Sequence, residues 1–219
     1  MSTDNINTIP GIIVYQRTDV IHVQSQRILT TLSSSFSGGG FNRVRHILNA
    51  SVGENFCSET PQIDLHAIAA RCGVTTPYVG LLTAVPMRKL RMVFTREEAL
   101  RVGVLVTAGV GNASSAGISK PFLSSPGTIN IIVLLDAKLT RAAMVNAIIT
   151  VTEAKSAVLN ELGVRTSGGD LATGTSTDTV TIAMTGLGTS MQYAGPATTI
   201  GWLTAKSVRE ALRESLMAT

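Results

Sequence analysis

The sequence predicts a single mixed α/β domain in which sheet packs against helices, and three observations carry that expectation. Short apolar runs of strand length, bounded by Gly, Ser, Thr and Asn, recur along most of the chain. Two longer segments, opening near Thr140 and Thr199, repeat apolar residues at helical spacing. Nothing recurs at a fixed period, and no linker-like stretch divides the 219 residues, so one domain over 1–219 is expected. Strand order is not derivable from these signals.

The elements follow in order. Residues 12–15 and 20–23 are apolar runs separated by Gln16, Arg17, Thr18 and Asp19, which reads as a hairpin. Residues 29–35 form a third strand candidate, after which Ser37, Gly38, Gly39 and Gly40 break regular structure ahead of residues 44–52. At Thr60 the pattern becomes helical: Thr60 suits an N-cap, Pro61 the first helical position and Gly73 the C-terminal cap. Residues 79–85, 90–94, 102–107 and 128–135 then read as strands. From Thr140, the residues Val145, Ile148, Ile149, Thr152, Leu159 and Leu162 mark a long helix that stops before Gly163. A Gly-, Thr- and Ser-rich loop over 166–177, a strand over 180–184 and a closing helix over 199–217 complete the chain.

Composition narrows the function classes. Hydrophobic residues make up 44% of the chain and charged residues 15%, which excludes disorder over most of its length. The longest uninterrupted apolar run, residues 131–135, is far shorter than the roughly 20 residues that span a bilayer, so no membrane span is expected. Asp4 and Asn5 stand where a secretory leader carries basic residues, so a cytoplasmic location is expected. Cys57 and Cys72 read as reduced thiols. The net charge is +4, and its one concentrated basic stretch, Arg88, Lys89 and Arg91, lacks the aromatic interleaving of single-strand binders. No nucleic-acid partner is expected. Homo-oligomerisation stays open.

Small polar residues and glycines crowd several segments where a generic core would be apolar. They are residues 107–113 (Thr107, Gly109, Gly111 and Asn112 among them), Gly127 to Asn130, Thr152 to Lys155, and 172–178. Together with Tyr193, Ala194, Gly195, Thr198 and Gly201, in this order, they resemble the motif set of the adenosylcobinamide amidohydrolase family over roughly residues 40–215. The resemblance implies hydrolysis of the amide joining an aminopropanol group to the corrin ring. The corrinoid is then substrate, and no cofactor is implied. One departure is local: the family has a histidine directly before this threonine, where the chain has Ala197. A non-catalytic corrinoid-binding protein and an amidase for another bulky cofactor are the alternatives.

An amidase must activate a nucleophile, stabilise an oxyanion and protonate a departing amine. Residues 173–178 offer the richest set: Thr173, Gly174, Thr175, Ser176, Thr177 and Asp178 combine hydroxyls and a carboxylate with a flexible backbone. Asp178 is expected to face a cleft and to matter to turnover more than to folding; the alternative is a capped turn before the strand. Strand alternation points Thr128 and Asn130 the same way, either to ligand or to loop backbone. On the long helix Lys155 lies at the edge of the apolar stripe, where it reaches water or meets a buried anion, and Glu153 is a candidate base. His46, beside Arg43 and Arg45, is the one histidine carried as an acid or base. The catalytic candidates are therefore Asp178, Glu153, Thr175, Ser176 and His46. Asn112, Thr128, Asn130, Lys155, Thr173, Gly174, Thr177 and Thr198 are the substrate-binding candidates. No metal site is expected, because no His, Cys, Asp and Glu set has zinc-like spacing.

Overall fold

Aliphatic and β-branched runs pair into a nine-stranded sheet, with helices on its outer faces. A computed structural model describes the backbone of residues 4–6 and all of residues 9–53, 56, 58–121 and 126–218. In chain order the first elements are β1 (Asp4–Ile6), β2 (Ile12–Gln16), β3 (Val20–Ser33), β4 (Gly40–Ser51), α1 (Pro61–Arg71), β5 (Tyr78–Thr83), β6 (Arg91–Glu97), β7 (Leu100–Gly109) and β8 (Ala113–Ser114). They are followed by β9 (Thr128–Leu135), β10 (Lys138–Leu139), α2 (Arg141–Glu161), β11 (Gly174–Thr175), β12 (Thr179–Met184), β13 (Ser190–Met191) and α3 (Thr199–Met217).

Strand β3 organises the sheet. One of its edges pairs with β4; the other pairs first with β2 and then with β12. A register shift between Gln24 and Leu29 interrupts the ladder, as a β-bulge does when it bends a strand. The sequence divided β3 into residues 20–23 and 29–35, because the exposed polar residues between them look like a break. They belong to one strand, with the irregularity facing solvent.

Two sheet layers result. Strands β5, β4, β3, β2 and β1 form one; the end of β3 with β12, β9, β7 and β6 forms the other. Their facing sides enclose a core that includes Ile21, Ile47, Leu81, Leu105, Ile132 and Leu134. Helix α1 covers the outside of the first layer through Leu65 and Ala69 on Leu48 and Ala50. Helices α2 and α3 cover the second layer on residues such as Val104, Ile131 and Ile182. The order is helix, sheet, sheet, helix.

Local chemistry fixes the helix ends. The Thr140 and Thr198 hydroxyls accept from Ala143 N and Gly201 N and cap α2 and α3. Pro61 occupies the first turn of α1, and Gly73, at φ +74°, takes the left-handed turn behind it. Helix α2 is long and apolar enough to cross a membrane, but half of its apolar window is buried inside the fold, against β12 and α3. Its buried stripe matches the one the sequence suggested only in part: Leu159 is buried and Ile148 packs against the core. Ala143, Ala147, Thr150, Val151, Ala154, Lys155 and Val158 face inward, while Val145 and Ile149 are exposed. Small residues share the inner face with Met144, Val151, Val158 and Leu159 and let the helix approach the sheet closely, so a large aliphatic side chain does not by itself mark that face. Cys72 is a half-buried free thiol that burial pushes up; Cys57 lies outside the described residues.

Ile132, 1% exposed between the two layers, tests this arrangement. Ile132→Ala is expected to cost about 2–5 kcal/mol in urea unfolding. A change within about 0.5 kcal/mol would contradict the sandwiched core.

Candidate active site

At one end of the space between the layers the core turns polar. Thr107, Asn130 and Thr179 occupy one register row across β7, β9 and β12. Asn130 Nδ2 donates to Asn49 Oδ1 of β4 and to Leu82 O, both at 2.9 Å, and Asn130 Oδ1 accepts from Thr179 Oγ1 at 2.7 Å. Asn49 Nδ2 donates in turn to Thr107 Oγ1 at 2.9 Å. These side chains rivet the two layers together. Asn130, 1% exposed, spends its amide on the protein rather than presenting it to a ligand.

One residue further along the strands, the row ends in a charged cluster. Asp178 stands directly before β12, and its carboxylate accepts from Ile129 N and Thr175 N, both at 3.1 Å, from the Thr175 hydroxyl and from Lys155 Nζ. The Lys155 and Asp178 side chains are 9% and 13% exposed, so this ion pair is largely dry. It binds α2 to the starts of β9 and β12. Gly174 is required here for a reason of space: a Cβ would lie 2.5 Å from both Asp178 Oδ2 and Lys155 Nζ. Its role is close approach to the ion pair.

Around this pair the loop is laced to its neighbours. Thr128 Oγ1 donates to Thr177 O at 2.8 Å, and Thr177 Oγ1 to Gly127 O at 3.0 Å. Asn112 Nδ2 donates to Ser176 Oγ at 2.7 Å, while Asn112 Oδ1 is buried without a partner, against Gly127. Thr173 joins through Ala116 N, which donates to its Oγ1 at 2.9 Å. Ser176 and Thr177 are exposed and Thr175 is half-buried, so the hydroxyls form a rim over the charged pair.

The sequence as a whole matches the family model described as adenosylcobinamide amidohydrolase, over residues 6–219. The chain belongs to the adenosylcobinamide amidohydrolase family. It is therefore a hydrolase acting on amide bonds. An adenosylcobinamide amidohydrolase of Methanosarcina mazei is 34% identical over 82% of this chain and 84% of its own length. An uncharacterized protein of Methanocaldococcus jannaschii is 29% identical over 95% of this chain and 89% of its own. Among solved structures, a Burkholderia sp. beta-aminopeptidase superimposes with a TM-score of 0.48 at 12% identity, covering all of this chain and 89% of its own.

Within this family member, three candidates from the sequence lie apart from the cluster. Glu153 is exposed on the outer side of α2, the same side as Ile149; the misassigned stripe had turned it inward. Thr198 caps α3, its hydroxyl donating to Gly195 O at 2.8 Å and accepting from Gly201 N. His46 lies on β4 with its ring against His22, Nδ1 to Nε2 at 3.0 Å, three residues from Asn49 and so on the opposite side of the strand. Asp178 also has an architectural task, because its four donors tie α2 to the starts of β9 and β12. Asn49 was missed by the sequence reading. Its signal is a lone amide inside the apolar run Ile47, Leu48, Asn49, Ala50. Among the described residues no group of three or more His, Cys, Asp or Glu side chains could hold a metal ion.

The histidine pair carries a pH signature. Burial, then His46 and Arg17, hold His22 down at about 4 against an ordinary 6.5; burial and then Arg45 lower His46. The fold thus favours neutral rings, and the unfolded chain takes up the extra protons. The stability contributed by the neutral pair is complete above about pH 6.5 and is lost as pH falls toward about 4. Melting temperature should drop across that window, and His22→Leu should flatten the drop. Equal slopes in the two proteins would contradict this assignment.

Proposed function

We propose that this chain hydrolyses the aminopropanol amide of adenosylcobinamide to adenosylcobyric acid, a cytoplasmic step of cobalamin salvage that requires no added metal ion. Family membership supports the substrate, and one observation supports the site: the Thr175 hydroxyl donates to a carboxylate that is itself paired with a buried ammonium. Thr175 Oγ1 attacks the amide carbonyl while Asp178 takes its proton. The carbonyl oxygen becomes an oxyanion, which collapses as the carbon–nitrogen bond breaks. The aminopropanol amine leaves with the proton Asp178 received, and water then cleaves the threonyl ester to free the acid. Lys155 holds the carboxylate in place throughout. Ser176 and Thr177, on the exposed rim, contact the corrinoid side chain, and Asn112 positions Ser176 through its amide N–H.

Thr175 separates this chemistry from architecture more cleanly than Asp178 does. Thr175→Val keeps the shape and the backbone N–H that Asp178 accepts, and turnover of adenosylcobinamide, followed by mass spectrometry of adenosylcobyric acid with chelator present, should fall at least about a hundredfold. Thr175→Ser should keep turnover within about tenfold of wild type. Near-normal turnover in Thr175→Val would remove Thr175 from the reaction, and no product from wild type would remove the substrate.

A further inference from the structure

A second cavity opens beside the hydroxyl rim. It has a volume of about 360 Å³, and its lining includes Val85, Arg88, Lys89, Gly109 and Gly127. Gly127 is shared ground, because its carbonyl accepts from Thr177 and its backbone leads into Thr128 and the Ile129 amide held by Asp178. The floor is bare backbone. A Cβ on Gly127 would strike the Asn112 side chain and Pro126 to Gly127 is packed against Gly111, while a Cβ on Gly109 would lie 2.8 Å from Val85 Cγ2.

The walls are cationic. Arg88 is exposed and Lys89 half-buried, and among the described residues no carboxylate forms an ion pair with either. Their backbone carbonyls are engaged, by Arg91 and by Ser215, so the segment is fixed while its side-chain charges are unspent. Two free cations beside a glycine floor match a small ligand that carries an anion at one end. The volume lies at the low end of the roughly 300–1,000 Å³ of ligand sites, which suits a short polar arm and not a macrocycle.

We propose that this cavity is the subsite for the leaving arm, and that Arg88 and Lys89 bind a phosphoryl group carried on the aminopropanol hydroxyl. The inference rests on the proposed function and extends it: the enzyme accepts corrinoids whose amide arm ends in a phosphate monoester. The phosphoryl oxygens meet the two cations. Arg88 and Lys89 touch the substrate away from the reacting bond and act on specificity.

The test compares kcat/KM for two corrinoids, one with a free aminopropanol arm and one with its phosphate ester, in wild type and in Arg88→Gln/Lys89→Gln. The double variant should lose at least about tenfold on the phosphorylated corrinoid and stay within about twofold on the free one. In parallel, titration calorimetry with 1-aminopropan-2-ol O-phosphate, aminopropanol and inorganic phosphate reads binding without turnover. The ester should bind at least about tenfold more tightly than either fragment, and the double variant should abolish that margin. Equal losses on both corrinoids, an unchanged variant, or inorganic phosphate binding as tightly as the ester would each overturn the subsite. Hydrolysis of the free-arm corrinoid by wild type reports on the proposed function by itself, so the two can fail separately.

Discussion

The ion pair between Lys155 and Asp178 is the constraint on which the arrangement of this site depends. An ammonium and a carboxylate removed from water each lose several kcal/mol of hydration, and the loss is offset only if every remaining hydrogen-bonding position is filled. Here the carboxylate also receives two backbone amides and a threonine hydroxyl. The four donors come from three parts of the chain: the start of β9, the β11 turn, which supplies both the amide and the hydroxyl of Thr175, and α2. The pair therefore sets how far α2 stands from the sheet, and it leaves no room for a side chain at residue 174.

The polar row behind the pair explains why the loop can be held so firmly at the end of a sandwich. Between two sheet layers an aliphatic core has no direction, whereas Asn49 bonds across the gap to Thr107 and Asn130 in one geometry, with Thr179 holding Asn130 from within its own layer. A buried amide whose partners are all present specifies register, because a shift of one residue would leave several polar groups unpaired. The charged cluster and its hydroxyl rim sit on that platform, and the cationic cavity adjoins it through Gly127. The proposed chemistry and binding thus meet where the core gives way to polar residues.

Much of this was legible in the sequence, and the limits have physical causes. The glycine and threonine segments at Gly127 to Asn130 and at 172–178 were marked as unusual, and the structure brings them together because β9 and β12 are parallel neighbours. Lys155 at the edge of a helical stripe left two readings, water or a buried anion, and only the fold supplies the anion, 23 residues away. Glu153 went astray because it shares a face with Ile149, which is exposed, while the inner face of α2 combines alanines and Thr150 with Met144, Val151, Val158 and Leu159. His46 went astray for a simpler reason: strand parity places it opposite Asn49, and that parity has meaning only once the two layers are known.

The central claim is that Lys155 and Asp178 act as one unit, and a double-mutant cycle in urea tests it most directly. Lys155→Met and Asp178→Asn should each cost about 3–5 kcal/mol, since each strands the other's buried charge. The double variant should be more stable than the sum of those losses predicts, with a coupling of at least about 1 kcal/mol. Single losses that simply add would contradict the account.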